Sequence, residues 1–128
     1  MPVISFDRDN TVESGRGPVS LEIVKRFIQH PEWRTYAHGN QRLVEEVSGI
    51  TGMSEVREQS DIVYERGSFA THASESLREN RLRAIRSLES NADRLVCVDD
   101  VDLQQLENWE YYFPADFLEV YPERFFDS

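Results

Sequence analysis

Two short runs of mostly apolar residues, VISF at residues 3–6 and LVCV at residues 95–98, constrain the fold of this chain most. Neither run alternates apolar with charged residues, and both are too short for a buried helix. Such runs are typical of central strands in a parallel sheet, because helices cover both faces of that sheet. We therefore predict that both runs are strands of a mainly parallel sheet.

Helical and strand patterns alternate along the rest of the chain. Residues 21–29 carry apolar side chains on one helical face and follow Ser20, a favourable N-cap residue. The other predicted elements are strands at 33–37, 62–64 and 111–113, and helices near 41–47, 73–89 and 115–121. This alternation predicts an α/β fold with helices on both faces of the sheet, formed by residues 1–128 as a single domain.

The chain is strongly acidic, with 24 Asp and Glu against 14 Lys and Arg and a formal charge of −10. Lys25 is its only lysine. A high-salt cytoplasm favours such a surface, because salt screens the self-repulsion, and this predicts a halophilic source. The same charge argues against a nucleic-acid-binding protein, which requires a basic face.

The cysteine content and the hydropathy pattern bear on the compartment. Cys97 is the only cysteine, which excludes an internal disulfide framework and is typical of a reducing cytoplasm. No apolar stretch approaches the roughly 18 residues that a membrane span requires. We therefore expect a cytoplasmic protein that does not associate with a membrane.

Acidic side chains directly follow both apolar runs. Asp7 and Asp9 come after the first run, and Asp99 and Asp100 come after the second. Because open parallel sheets bind ligands at the carboxyl ends of their strands, we expect these groups to meet there. Crowded carboxylates require a cation, and an all-oxygen site beside a substrate phosphate suits Mg²⁺. A metal-neutralised Asp can attack a phosphoryl group while a second Asp transfers the proton.

Two segments carry a resemblance to a known family. FDRDNT, after an N-terminal strand, resembles motif I (D-x-D-x-T) of the haloacid dehalogenase-like superfamily of phosphohydrolases. LVCVDD resembles the apolar strand and the acidic motif IV of the same family. The resemblance extends more weakly over nearly the whole chain. It implies a three-layer, Rossmann-like fold and a Mg²⁺-dependent phosphatase or phosphotransferase.

The resemblance also implies roles for individual residues. Asp7 would be the nucleophile that forms an aspartyl-phosphate, and it would also bind the metal. Asp9 would be the general acid and base, with its backbone carbonyl facing the metal, and Thr11 would support the loop around the phosphate. Asp99 and Asp100 would supply the motif IV metal ligand, and the sequence does not choose between them.

The chain departs from the family pattern at two positions. His38 replaces the Ser or Thr of motif II that binds phosphate, and its imidazole or the nearby Asn40 could donate to a phosphate instead. The Lys of motif III has no counterpart, because Lys25 precedes motif II. Arg81, on an apolar helical face, is the first candidate for that role, and Arg78 is the second. A turn histidine and a solvated arginine are the alternatives.

The spacing between the motifs leaves little room for the cap domains that select substrates in this family. A nearly capless enzyme would take a bulky or macromolecular phosphorylated substrate, or a partner subunit of a homo-oligomer would close its site. Two other interpretations stay open. One is a related fold that binds metal or phosphate in a regulatory role with weak catalysis; the other, which fits less well, is a phosphorelay receiver domain.

Overall fold

The fold is built on a four-stranded sheet in which all neighbouring strands are parallel. A computed structural model of the chain describes residues 1–60 and 75–126. The strands are β1 (Val3–Phe6), β2 (Arg34–Ala37), β3 (Leu95–Val98) and β4 (Glu110–Tyr112), in the spatial order β2-β1-β3-β4. The predicted α/β class is confirmed, and the two apolar runs form the two central strands.

Five α-helices accompany the sheet in the described residues. They are α1 (Leu21–Gln29), α2 (Arg42–Glu46), α3 (Met53–Ser60), α4 (Glu75–Leu88) and α5 (Pro114–Val120). The Ser20 hydroxyl accepts the backbone N–H of Ile23 and so caps α1, as predicted. None of the helices in this part of the chain is long and apolar enough to cross a membrane.

The structure differs from the predicted elements in a few places. The sequence pattern predicts no helix at α3, because Met53 and Val56 are its only buried apolar residues and define less than two turns. The last strand lies one residue earlier than predicted, because Phe113 caps α5 and Pro114 begins that helix. The strand predicted at 62–64 falls outside the described residues.

The sheet is buried on both faces, so the core has two parts. Successive side chains of a strand point to opposite faces. Phe6 packs in one cluster with Phe27 of α1 and Phe117 of α5. Val3 and Cys97 belong to a second cluster, which includes residues of α3 and α4. Burial of both faces is the reason why the central strands show no alternation of apolar and polar residues.

The strand order creates a switch point at the centre of the sheet. From β1 the chain continues to β2 on one side, and it later returns to β3 on the other side of β1. Open α/β sheets bind ligands in the crevice outside the carboxyl ends of the strands at such a point. We therefore expect a functional site at the residues that follow β1 and β3.

Phe27 lies at the centre of the aromatic core, with ring centroids 5.7 Å from Phe6 and 5.1 Å from Trp33. We expect Phe27→Ala to lower the free energy of unfolding by about 3–5 kcal/mol, because the cavity would not collapse fully. Chemical denaturation at constant salt measures this. The matched control is Phe113→Ala, since that side chain is 46% exposed, and its effect should stay within about 0.5 kcal/mol. Equal losses in both variants would contradict the packing.

Candidate functional site

Backbone pairing aligns three polar residues at the carboxyl edge of the sheet. The hydrogen-bond pattern of the strands continues for one residue beyond their ends. The N–H of His38 donates to Phe6 of β1, that of Asp7 to Val98 of β3, and that of Asp99 to β4. Asp7 therefore stands between His38 and Asp99, each on a neighbouring strand about 4.8 Å away.

Three carboxylates form the centre of the site, and we call Asp7, Asp99 and Asp100 the carboxylate group. Each offers an oxygen, and these three oxygens lie within 4.8 Å of one another. Asp7 and Asp99 are fully buried, whereas 26% of the Asp100 side chain is exposed. The sequence prediction that acids from both strand ends meet is therefore realised in the geometry.

Burial and mutual repulsion give the two buried acids different pKa values. Burial, followed by the charge of Asp99, raises the pKa of Asp7 to about 9. Burial also acts to raise the pKa of Asp99, but a hydrogen bond from His38 and the charges around it hold that pKa below its usual value. At neutral pH without a bound cation, Asp7 is therefore protonated and Asp99 is ionised.

Asp7 has one oxygen that no described residue satisfies. Its Oδ2 accepts the hydroxyl of Thr11 at 3.1 Å, but the buried Oδ1 has no hydrogen-bond donor among the described residues. Gly39 approaches this oxygen so closely that a Cβ on that residue would overlap it. Once Asp7 is ionised, this buried oxygen has no donor, and a cation beside it would be stabilised.

The loop after β1 folds back on itself and thereby brings Thr11 to Asp7. Asn10 has φ of 61°, a left-handed conformation that Asn tolerates better than most residues. The backbone N–H of Thr11 then donates to the carbonyl of Arg8 at 3.2 Å. Thr11 is fully buried, so its hydroxyl supports Asp7 directly, and its predicted place around a phosphate stays a prediction.

Arg78 lies among the acids of the carboxylate group. Its Nη1 is 2.6 Å from Asp99 Oδ1, and it is 3.6 Å from Asp7 Oδ2 and from Asp100 Oδ1. The side chain is 8% exposed, so this guanidinium supplies a buried positive charge to the site. Arg78 is the second candidate from the sequence, but the structure brings it closer to the carboxylates than Arg81.

Arg81, the first candidate of the sequence analysis, occupies a different position. It is buried as predicted, and its Nη1 donates to the carbonyl oxygens of Gly39 at 2.6 Å and His38 at 3.3 Å. Arg81 thus supports the backbone after β2, beside the carboxylate group. The alternative of a solvated arginine is contradicted for both Arg78 and Arg81.

His38 contacts a carboxylate instead of an open cavity. Its ring is fully buried, with Nε2 2.8 Å from Asp99 Oδ2 and Nδ1 2.8 Å from the hydroxyl of Ser5. Burial lowers the pKa of His38, so the ring is neutral at neutral pH. Both ring nitrogens are engaged, which corrects the expectation that the imidazole is available to donate to a phosphate.

Asp9 stands beside the carboxylate group but does not belong to it. Its Oδ1 accepts Arg8 Nη1 at 2.9 Å, and Asn40 Nδ2 lies 3.2 Å from both of its carboxylate oxygens. Arg8 in turn binds Glu46 of α2 through its Nε at 2.8 Å. Asp9 is therefore held in place with 14% of its side chain exposed. Asn40, expected near a phosphate, orients Asp9.

Three residues that support the site are not predicted from the sequence: Ser5, Arg8 and Tyr111. The Tyr111 hydroxyl donates to the backbone carbonyl of Asp99 at 2.9 Å. Ser5 carried a usable signal, since it is the only polar residue of the first apolar run.

Asp102 is a third acidic residue after β3, close in sequence to Asp99 and Asp100. It is exposed, accepts the backbone N–H of Gln104 at 3.0 Å and lies outside the carboxylate group.

Two clefts border the described residues. One, of about 440 Å³, opens beside Asp100 and is lined by Tyr111, Phe113 and Asp116. The other, of about 500 Å³, lies against Arg94 at the opposite end of β3. The first cleft therefore reaches the carboxylate group at Asp100, its partly exposed member, whereas the second lies away from the group.

Comparisons with known proteins give no relative for this chain. No protein-family model matches it, and neither the curated proteins nor the solved structures contain a match. The chemistry of the carboxylate group and its neighbours is therefore the basis for any function assigned to the chain.

The close approach of Gly39 to Asp7 predicts a specific coupling between these residues. Gly39→Ala should lower the free energy of unfolding by about 1–3 kcal/mol, because the new methyl group overlaps Asp7 Oδ1. In an Asp7→Ala background the same change should have a much smaller effect, since the overlapping atom is gone. A double-mutant cycle by chemical denaturation measures the coupling. Additive effects would argue against the observed approach.

The raised pKa of Asp7 predicts an inverse dependence of stability on pH in metal-free protein. Between the ordinary carboxyl pKa and about 9, the folded chain holds a proton that the unfolded chain has released. Stability from this group therefore falls as pH rises, by at most about 1.4 kcal/mol per pH unit.

Asp7→Asn should flatten this slope between pH 5 and 9, because the amide does not titrate. Denaturation in the presence of a chelator measures the slope. Asp93→Asn, at a side chain that is 76% exposed, should leave it unchanged. A wild-type slope equal to that of Asp7→Asn would show that Asp7 is ionised without metal.

Proposed function

We propose that this protein is a Mg²⁺-dependent phosphohydrolase or phosphotransferase of the haloacid dehalogenase-like type, with Asp7 as its nucleophile. One observation carries the proposal: three carboxylates converge at the switch point of a parallel sheet, and one buried oxygen of Asp7 lacks a donor among the described residues. Such a group is stable as a set of anions only beside a cation.

The residues present fit a magnesium ion. Asp7, Asp99 and Asp100 offer hard oxygen ligands, which Mg²⁺ prefers together with water and substrate phosphate. In the described part of the chain, this group contains no histidine or cysteine that would favour a softer metal. The bound ion would neutralise the acids and withdraw charge from the phosphoryl oxygens.

Asp7 and Asp9 then have separate roles in the reaction. An oxygen of Asp7 attacks phosphorus, and the bond from phosphorus to the alcohol oxygen breaks. Asp9, held by Arg8 and Asn40, protonates the departing oxygen. Asp9 then takes a proton from the water that attacks the aspartyl-phosphate, which releases phosphate and restores Asp7.

Arg78 is the best-placed residue to replace the motif III lysine. Its guanidinium already neutralises Asp99 and faces Asp7 and Asp100. Because a guanidinium has several donors in one plane, it can hold a carboxylate and a phosphoryl oxygen at the same time. Arg81 contributes by fixing the backbone at Gly39, where it donates to the carbonyl oxygen.

A three-layer, Rossmann-like fold and a bulky phosphorylated substrate are part of the same proposal. Two core clusters, one with α1 and α5 and the other with α3 and α4, support a three-layer, Rossmann-like arrangement. The cleft beside Asp100 supports access for a bulky or macromolecular phosphate ester. A high-salt cytoplasm is the setting that the composition predicts, and closure of the site by a partner subunit of a homo-oligomer is the alternative to an open site.

A second candidate function is a metal- or phosphate-binding module that turns over poorly. Arg78 favours it, because a buried guanidinium 2.6 Å from Asp99 Oδ1 already satisfies part of the charge that a metal would satisfy. In this case the chain would bind Mg²⁺ or phosphate without accumulating product.

The test is hydrolysis of 4-nitrophenyl phosphate by purified protein in high salt with Mg²⁺. We expect turnover that a chelator abolishes and that Asp7→Asn reduces to the buffer rate. Arg78→Gln should lower kcat by about 10²–10³-fold, as expected for loss of one preorganised donor to the transition state. Asp93→Asn is the matched control and should keep wild-type turnover.

Thermal unfolding with and without Mg²⁺ distinguishes the two candidate functions. Mg²⁺ should raise the Tm of the wild type through binding to the folded state, and this rise should be lost in Asp7→Asn. A Mg²⁺-dependent rise without turnover would favour the binding module. Turnover that persists in Asp7→Asn would exclude Asp7 as the nucleophile.

A further inference from the structure

We infer that His38 is a positioning residue that orients Asp99 for cation binding, and that Ser5 fixes the hydrogen-bonding state of its ring. The inference rests on the proposed function, since it concerns the same carboxylate group. It goes beyond that function because it assigns His38 a role other than the phosphate contact of motif II.

The direction of the hydrogen bonds follows from the chemistry of the two partners. An ionised carboxylate only accepts, so Nε2 of His38 must carry the proton that it shares with Asp99 Oδ2 at 2.8 Å. The ring is fully buried, which favours its neutral form, and a neutral ring protonated at Nε2 has a lone pair on Nδ1. The Ser5 hydroxyl, 2.8 Å away, donates to that lone pair. This places the ring in one tautomer.

Asp99 is thereby held through both of its oxygens. Oδ2 receives His38, while Oδ1 receives Arg78 Nη1 at 2.6 Å and the backbone N–H of Val101 at 2.9 Å. The Tyr111 hydroxyl also holds the backbone carbonyl of Asp99. A carboxylate with so many partners has one orientation, and it faces Asp7 and Asp100.

The position of Ser5 in the sheet explains its hydrogen bond to the ring of His38. Ser5 of β1 lies two residues before Asp7, which continues the strand's hydrogen-bond pattern, so both side chains point to the same face of the sheet. It is fully buried in a strand that is otherwise apolar. A buried hydroxyl at this place is stable only with a partner, and the ring of His38 is that partner.

Groups that hold a metal ligand in place strongly affect metal affinity, with typical losses of roughly 10- to 100-fold when they are removed. Two substitutions of His38 separate its two hydrogen bonds. The amide nitrogen of Gln can replace Nε2 and still donate to Asp99. The shorter Asn can replace only Nδ1, so it keeps the Ser5 contact and loses Asp99.

The experiment titrates Mn²⁺ into wild-type, His38→Gln, His38→Asn and Ser5→Ala protein by calorimetry in high salt. We expect His38→Asn to lose roughly 10- to 100-fold in Mn²⁺ affinity. His38→Gln should stay close to the wild type, and Ser5→Ala should fall between them. Thermal unfolding confirms that each variant is folded. Should His38→Asn not fold, the comparison of His38→Gln with Ser5→Ala applies, with a loss in Ser5→Ala alone supporting the inference.

Inhibition of 4-nitrophenyl phosphate hydrolysis by inorganic phosphate tests the alternative that His38 contacts phosphate. Equal Mn²⁺ affinity in all four proteins, with weaker phosphate inhibition in His38→Asn, would overturn the inference and leave the proposed function intact. Loss of Mn²⁺ affinity in His38→Asn from a wild type without turnover would support the inference and overturn the catalytic proposal. A wild type that binds no Mn²⁺ would overturn both.

The tautomer gives a readout that requires neither metal nor turnover. A long-range ¹H–¹⁵N spectrum of the histidine side chains should show His38 protonated at Nε2 alone. Ser5→Ala should broaden or shift this signal, because Nδ1 loses its donor. A ring protonated at Nδ1 alone would contradict the inference.

Discussion

Burial of two neighbouring carboxylates is the constraint on which the rest of this site depends. Asp7 and Asp99 are fully buried on adjacent strands, where two negative charges cannot coexist without compensation. The chain compensates in two ways: Arg78 and His38 stabilise the charge of Asp99, and Asp7 keeps a proton. A cation would release that proton, and this would link metal binding to the charge of Asp7, the proposed nucleophile.

The same constraint connects the fold to the chemistry. Parallel pairing of β1 with both β2 and β3 aligns Phe6 with Ala37 and Val98, so the next residue of each strand reaches the same edge. This arrangement does not depend on the conformation of a loop, because the backbone hydrogen bonds that pair the strands also position the residues of the site. Buried Arg78 and Arg81 complete the site from α4, a helix that also contributes apolar residues to the second core cluster.

The extent to which the sequence predicts the site differs between residues. Asp7, Asp99 and Asp100 could be predicted, because their positions depend on strand ends and on the edge rule for parallel sheets. The ranking of Arg78 below Arg81 was not reliable, since both share a helical face with apolar residues and only the placement of α4 separates them. His38 was predicted at the site, but its partner was not, because its contact with Asp99 joins residues 61 positions apart.

By itself, the sequence determined the α/β class, the parallel sheet and the two central strands, because these depend on local periodicity and on apolar runs that need cover on both faces. It also determined which acids stand at the strand ends. Only the tertiary structure decided the charge state and the partners of those acids. Both depend on burial and on distances of a few ångströms between residues far apart in the chain, and no local pattern encodes them.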